Sequence, residues 1–208
     1  MRKAFAGWTP RALPGLRFPD LLRGRRSDRS LARPALGDVL DMVAAATLAR
    51  FAADGDRFGR TRRASASAGA LHPVSVVIVR PCPTPLPFHV DPASGNLRVL
   101  RVADAHGMRS QAERLRTMLP GGQPTHLVFL GDLELVAAAY ENPASLLWRD
   151  AGTLLATLHL CAASLGLGFC PLGALGEGFA DAIFPGRARL VACGTAAVGV
   201  PAGCSARA

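Results

Sequence analysis

The sequence predicts an α+β fold, with helices packed around a mixed central sheet. Three observations lead there. Half of the 208 residues are apolar, enough to build a sizeable core in one domain. Val74 to Val79 and Leu190 to Val200 are runs of β-branched and small residues, as in strands buried on both faces. Long helical patterns accompany the strands without alternating with them one for one.

Met1 to Leu22 carries Pro10, Pro14 and Pro19 among scattered apolar residues. It reads as an irregular N-terminal arm, suited to wrapping a partner subunit, ahead of a domain over 23–208. From Ala35 to Ala53, Leu36, Val39, Leu40, Val43, Leu48 and Phe51 recur at helical spacing, with Asp38, Asp41 and Arg50 on a polar face. Gly55 is the expected stop. Gly59 to Ala70, rich in arginine, serine and glycine, should be a loop feeding the strand at Val74.

Pro81, Pro83, Pro85 and Pro87 then interrupt regular structure. Phe88–Val90 and Leu97–Leu100 flank a polar loop and predict a hairpin. Ala103 to Leu119 predicts a partly exposed helix, and His126 to Leu130 a core strand. Leu146 to Leu165 is apolar on nearly every face and predicts a central helix, closed by Gly166 and Gly168. Gly166 to Ala174 reads as a loop with exposed peptide N–H groups, stiffened by Pro171.

The composition excludes several function classes. The apolar runs all break well short of the roughly 18 residues needed to span a bilayer. No apolar segment in the first 22 residues has signal-peptide form. A soluble, cytoplasmic protein with no membrane partner is expected. The five cysteines are widely spread, without CxxC or Cys/His metal-ligand spacing, so no metal is expected and buried structural thiols are. Net charge is +9, from 24 basic against 15 acidic residues, and Lys3 is the only lysine. About half of the basic residues precede residue 64, densest from Arg23 to Arg33. Such a cluster attracts polyanions. Zinc-finger spacing and RNP-like aromatic motifs are absent and aromatics are few, which favours a nucleotide phosphate over nucleic acid.

Four segments can carry chemistry. Arg25-Arg26-Ser27-Asp28-Arg29 offers planar charged donors and a hydroxyl that match phosphate oxygens, although such blocks are commonly just solvated. Ser65 to Pro73 has small side chains that admit a flat ligand, and includes His72. Gly166 to Ala174 offers backbone donors but is neither a GxGxxG fingerprint nor a P-loop. Tyr140 to Asp150 brings Tyr140, Trp148 and an acid ahead of the central helix. Asp150 suits that helix's N-terminal region and Trp148 suits core packing.

In order and spacing these segments resemble the SagB-type branch of the nitroreductase superfamily. Its R-R-S-x-R pattern corresponds to Arg25–Arg29. Its P-S-A-G-A-L-Y-P loop corresponds to Ala66–Pro73. A helix opening on an acid, Ala and Gly corresponds to Asp150-Ala151-Gly152, and L-G-L-G-x-C-P-x-G to Leu165–Gly173. The resemblance spans Arg25 to Val200 and implies a three-layer α-β-α fold and an FMN-dependent homodimer, with FMN at the subunit interface. It implies that Arg25, Arg26, Ser27 and Arg29 serve the phosphate and that Ser67, Ala68 and Gly69 lie beside the ring or ribityl chain. Pro171, Leu172, Gly173 and Ala174 face the N5/O4 edge, and Arg207 is a late phosphate contact. The reaction implied is hydride transfer through flavin N5 on a peptide or small natural-product intermediate. NAD(P)H is an optional partner, and Tyr140 is the candidate proton donor or acceptor.

Departures are visible. Ala66 replaces a proline and His72 a tyrosine. Ala139-Tyr140 stands where azoline-oxidising relatives carry Lys-Tyr. Two other readings remain open, a non-catalytic scaffold or partner subunit of the same fold and a generic NAD(P)H-dependent nitro or quinone reductase.

Overall fold

A computed structural model describes residues 8–52, 54–81, 85–119, 121–187 and 189–202. In chain order the elements are α1 (Phe18–Gly24), β1 (Leu31–Ala32), α2 (Leu36–Thr47), β2 (Phe51–Ala52), β3 (Thr61–Arg62) and a 3-10 turn (Ala68–Ala70). β4 (Val74–Arg80), β5 (Leu86–Val90), β6 (Leu97–Val99), α3 (Ala105–Met118), β7 (Thr125–Asp132) and α4 (Leu133–Ala137) follow. The chain continues with α5 (Pro143–Ser164), β8 (Gly168–Leu172), α6 (Glu177–Ile183) and β9 (Leu190–Pro201).

The main sheet has the order β1-β9-β7-β4-β5-β6, and β8 shares the outer edge of β9 with β1. Every pairing between its strands is antiparallel, so the expected mixed character reduces to one parallel bridge, Ser27 to Phe169. Side chains of β7 alternate between two cores. Leu127 and Phe129 pack with α2 and α5, while Val128 and Leu130 pack with α3 and α6. Helices therefore cover both faces, giving three layers, which explains why β7 reads as a continuous apolar run.

The predicted strands at Val74, His126 and Leu190, the hairpin and the helix at Ala103 all form. The 35–53 helix stops early. Leu48 takes extended backbone, Ala49 N–H donates to Pro92 O and Arg50 N–H to Arg62 O, which draws Phe51–Ala52 into a small hairpin with β3. Asp41, assigned to the polar face, is 1% exposed because the arm folds over it. Trp8 Nε1–H and the Arg11 backbone N–H each donate to Oδ1 at 3.1 Å, and the Arg11 guanidinium pairs with Oδ2. The described part of the arm, from Trp8 onward, thus docks on its own chain, and its last residues enter the helix α1 with Pro19 in the first turn.

Gly168 to Leu172, read as loop, is a strand. Pro171 is tolerated there because β8 lies on the sheet's outer edge. Gly166 closes α5 as expected. It adopts φ +71° and donates to Ala163 O, while Leu167 N–H reaches back to Ala162 O, the reciprocal pair of a Schellman stop. Cys161, Cys170 and Cys193 are free and buried, and burial raises the thiols of Cys161 and Cys193 to about 11. No described helix is long and apolar enough to cross a membrane.

His126, on the β7 face toward α3, is 2% exposed, and its Nδ1 has no hydrogen-bond partner among the described residues. Burial pushes its pKa down to about 4. The unfolded chain, with an ordinary pKa near 6.5, binds this proton first as pH falls. Stability from the neutral imidazole is therefore full above about pH 6.5 and is lost on acidification toward pH 4. Between pH 7 and 5 the wild type should lose about 2 kcal/mol more than His126→Leu, read from urea midpoints. Equal losses in the two proteins would contradict a buried neutral His126.

Candidate functional site

α5 organises the candidate residues. At its C-terminal half, His159 Nε2–H donates to Arg26 O at 2.9 Å and the imidazole stacks on Phe169 at 4.9 Å. Phe169 in turn bridges Ser27, and its carbonyl accepts from Asp28 N–H at 3.1 Å. The Arg25–Arg29 segment is thereby clamped between α5 and β8. Arg26 is engaged by Asp28 at 3.0 Å. Arg25, Ser27 and Arg29 are exposed, and neither Arg25 nor Arg29 has a carboxylate partner among the described residues. Burial holds the His159 imidazolium below its usual pKa, and Arg25 adds to that depression. Two guanidiniums without carboxylate partners and an exposed hydroxyl thus stand on one anchored stretch of backbone, groups of the kind that match phosphate oxygens.

Nine residues earlier on α5, about 13 Å at the helical rise, Asp150 grips the small-residue loop. Ser67 Oγ–H donates to Asp150 Oδ2 at 2.5 Å, and Ala68 N–H donates to Oδ1 at 3.1 Å. Ser67 Oγ also accepts from His72 N–H at 2.8 Å. These bonds hold a strained path, since Gly69, Ala70 and His72 have φ of 56°, 57° and 48°. Glycine is needed at 69 because a Cβ would collide with the Tyr140 hydroxyl as well as sit at positive φ. Tyr140 therefore caps this loop while remaining 37% exposed. His72 Nε2–H donates to Thr61 O at 2.8 Å, and burial, reinforced by Arg63, keeps its imidazole neutral at pH 7.

β8 runs back along α5, and four residues after Phe169, again about 13 Å, it delivers Gly173. Gly173 is exposed, and among the described residues the N–H groups of Gly173 and Ala174 donate no backbone hydrogen bond. The Ala174 carbonyl accepts from Thr195 Oγ–H at 2.7 Å, which fixes the segment. Leu172 and Gly173 line a cavity of about 280 Å³ together with Trp148, Gly152 and Thr195.

Within one chain the Ser67 loop and Gly173 do not share a cavity. The Ser67 side is nearly filled, about 10 Å³, and reaches Asp150 and Leu154, while the Gly173 cavity reaches Ala151 and Leu155. Between these flanks the α5 surface carrying Trp148, Arg149, Gly152 and Ala156 is exposed. Trp148, expected in the core, is 44% exposed. Asp150 sits well inside α5 rather than at its start, because Pro143 opens the helix two turns earlier. Its task is to hold Ser67. Arg207 lies outside the described residues. Sequence reasoning missed His159, Arg63 and Thr195. Asp150 was visible in sequence as the acid of the Asp150-Ala151-Gly152 pattern, but its partner Ser67 was not.

No family model matches the chain, and no curated protein matches it. Solved structures do. A protein assigned as a nitroreductase in Ralstonia eutropha JMP134 aligns with TM-score 0.69 at 18% identity, covering 97% of this chain and 94% of that one. The E. coli microcin synthetase McbBCD complex with truncated pro-MccB17 aligns with TM-score 0.61 at 16% identity, over 95% of this chain and 77% of that one. An FMN complex of a protein assigned as a nitroreductase in Desulfovibrio desulfuricans aligns with TM-score 0.58 at 18% identity, over 91% and 89%. The fold is that of the nitroreductases.

Asp150→Ala should lower stability by about 2–3 kcal/mol, since Ser67 and Ala68 lose a charged, buried acceptor. Proteolysis of the variant should open first within residues 64–72. Unchanged stability and an uncut loop would show that Asp150 does not hold it.

Proposed function

We propose that this chain is an FMN-dependent oxidoreductase acting as a homodimer, with each site built from both copies. One observation carries the reading. The free anion-binding cluster at Arg25, Ser27 and Arg29 and the free donors of Gly173 and Ala174 lie at opposite ends of one β8 span. Their separation of about 13 Å is of the order of a phosphate joined to a flat ring by a five-carbon chain. Arg25, Ser27 and Arg29 bind the phosphate. Arg26, already committed to Asp28 and His159, holds the segment in place.

FMN, when bound, supplies hydride transfer through N5. The chain binds and orients it, and the N–H groups of Gly173 and Ala174 favour negative charge at the ring's N5/O4 edge. Leu172 and the exposed Pro171 border this edge. The exposed α5 face lies between the Gly173 cavity and the Ser67 loop, so two copies packed across it place Ser67, Ala68 and Gly69 of one against the ring held by the other. Trp148 is buried in that contact, as an interface aromatic commonly is. Tyr140, lying over Gly69, then faces the substrate side and serves as proton donor or acceptor.

The substrate is a peptide or small natural-product intermediate. The motif order of the SagB-type branch supports this, as does the likeness to a synthetase solved with truncated pro-MccB17 bound. Ala139 before Tyr140 argues against azoline oxidation by a Lys-Tyr pair. Electrons enter or leave through a second substrate such as NAD(P)H.

Arg25→Ala with Arg29→Ala should weaken FMN binding at least a hundredfold, about 3 kcal/mol, while leaving a folded dimer, as measured by flavin fluorescence titration and sedimentation. Full affinity in that variant would refute the phosphate assignment. Co-expressing it with Gly69→Trp, each deficient alone, should restore one site in every mixed dimer. Absence of restoration would place the whole site within one copy.

A further inference from the structure

On the sheet face opposite α5, between α3 and the adjoining ends of β4 and β7, lies a cavity of about 490 Å³. This is within the size range of small-molecule sites. It is distant from the Ser67 loop. Val79 lines it, five residues along β4 from Val74, about 17 Å away. Apolar surface from Val79, Pro85 and Ala112 forms much of its wall.

Its charged groups are mainly of one sign, beside the uncharged Gln123. Arg33, Arg109 and Arg116 stand around it against one acid, Glu113. Arg116 is neutralised by a two-point pair with Glu113, at 2.6 and 2.9 Å. The Arg33 guanidinium donates to Pro81 O, which fixes the side chain without neutralising it. Arg109 has no ion pair among the described residues. Two uncompensated positive charges therefore border an apolar chamber. The cavity also reaches His126, 2% exposed, whose Nδ1 is left without a partner in the described structure. Burial keeps that imidazole neutral. A buried polar atom without a hydrogen bond is disfavoured by about 1–3 kcal/mol unless a ligand or water satisfies it.

The geometry points to a second ligand site here, for a small amphipathic organic anion. Its apolar body fills the chamber against Val79 and Ala112 and carries one polar atom to the Nδ1 of His126, and its carboxylate or sulfonate meets Arg109 and Arg33 at the mouth. Arg116, held by Glu113, completes the rim. The site does not depend on the flavin reading, because it shares no residue with the α5 side of the sheet.

The probe is 8-anilinonaphthalene-1-sulfonate, titrated into the full chain already equilibrated with FMN. One saturable site per chain is expected, with 1-naphthoate competing and the uncharged N-phenyl-1-naphthylamine binding at least tenfold more weakly. Arg109→Glu, at an exposed position, should raise the Kd at least tenfold. Ala112→Trp should abolish the saturable site by filling the chamber. Circular dichroism and Tm read folding in both variants, and Arg109→Glu keeps the test decisive if Ala112→Trp fails to fold. Saturable binding that survives Arg109→Glu unchanged, or no saturable binding in the wild type, would overturn the proposal.

Discussion

The register of α5 against the sheet is the constraint from which the rest of the site follows. This helix packs Leu147, Leu154 and Leu158 into the core beside α2 and β7, where close packing leaves little freedom to slide or turn. Once it is seated, three attachments are set. His159 meets the arginine segment, Asp150 meets the small-residue loop, and Trp148 with Gly152 borders the glycine segment. The Schellman stop at Gly166 then sends β8 back along the helix, so the arginine and glycine segments end up joined by one strand. Segments separated by more than a hundred residues in sequence thus become parts of one surface.

Charge is distributed with the same economy. Many arginines are paired with carboxylates, among them Arg11, Arg60, Arg98 and Arg116. Exposed pairs of this kind contribute little stability each, but they remove those side chains from competition for an anionic ligand. Arg25 and Arg29 beside α5, and Arg33 and Arg109 at the cavity on the opposite sheet face, are among the arginines with no carboxylate partner in the described structure.

Much of the fold was legible because periodicity and side-chain shape act locally. The β-branched run at Val74 and the apolar run at His126 announce strands buried on two faces. Misreadings arose where tertiary contacts override local signals. Asp41 looks solvated until Trp8 and Arg11 cover it. Phe51 fits a helical face but is drawn into a hairpin by Arg62. Pro171 marks a loop in sequence, yet an edge strand accepts it. The four site segments were found by residue type and order, and the structure ties three of them to α5. Their division between two flanks of that helix was not readable, because no sequence pattern reports which side of a buried helix a loop will meet. The role of His159, and the Ser67 partnership of Asp150, were hidden for the same reason. Their roles are long-range hydrogen bonds, without a local pattern of their own.

Every role proposed for these segments requires that together they bind FMN. Flavin content per chain, measured by absorbance and by identification of the released cofactor after saturating the purified protein with FMN and removing the excess, tests this directly. One FMN per chain, in a particle of two chains, is the predicted result. Colourless protein that takes up no FMN at any concentration tried would contradict it.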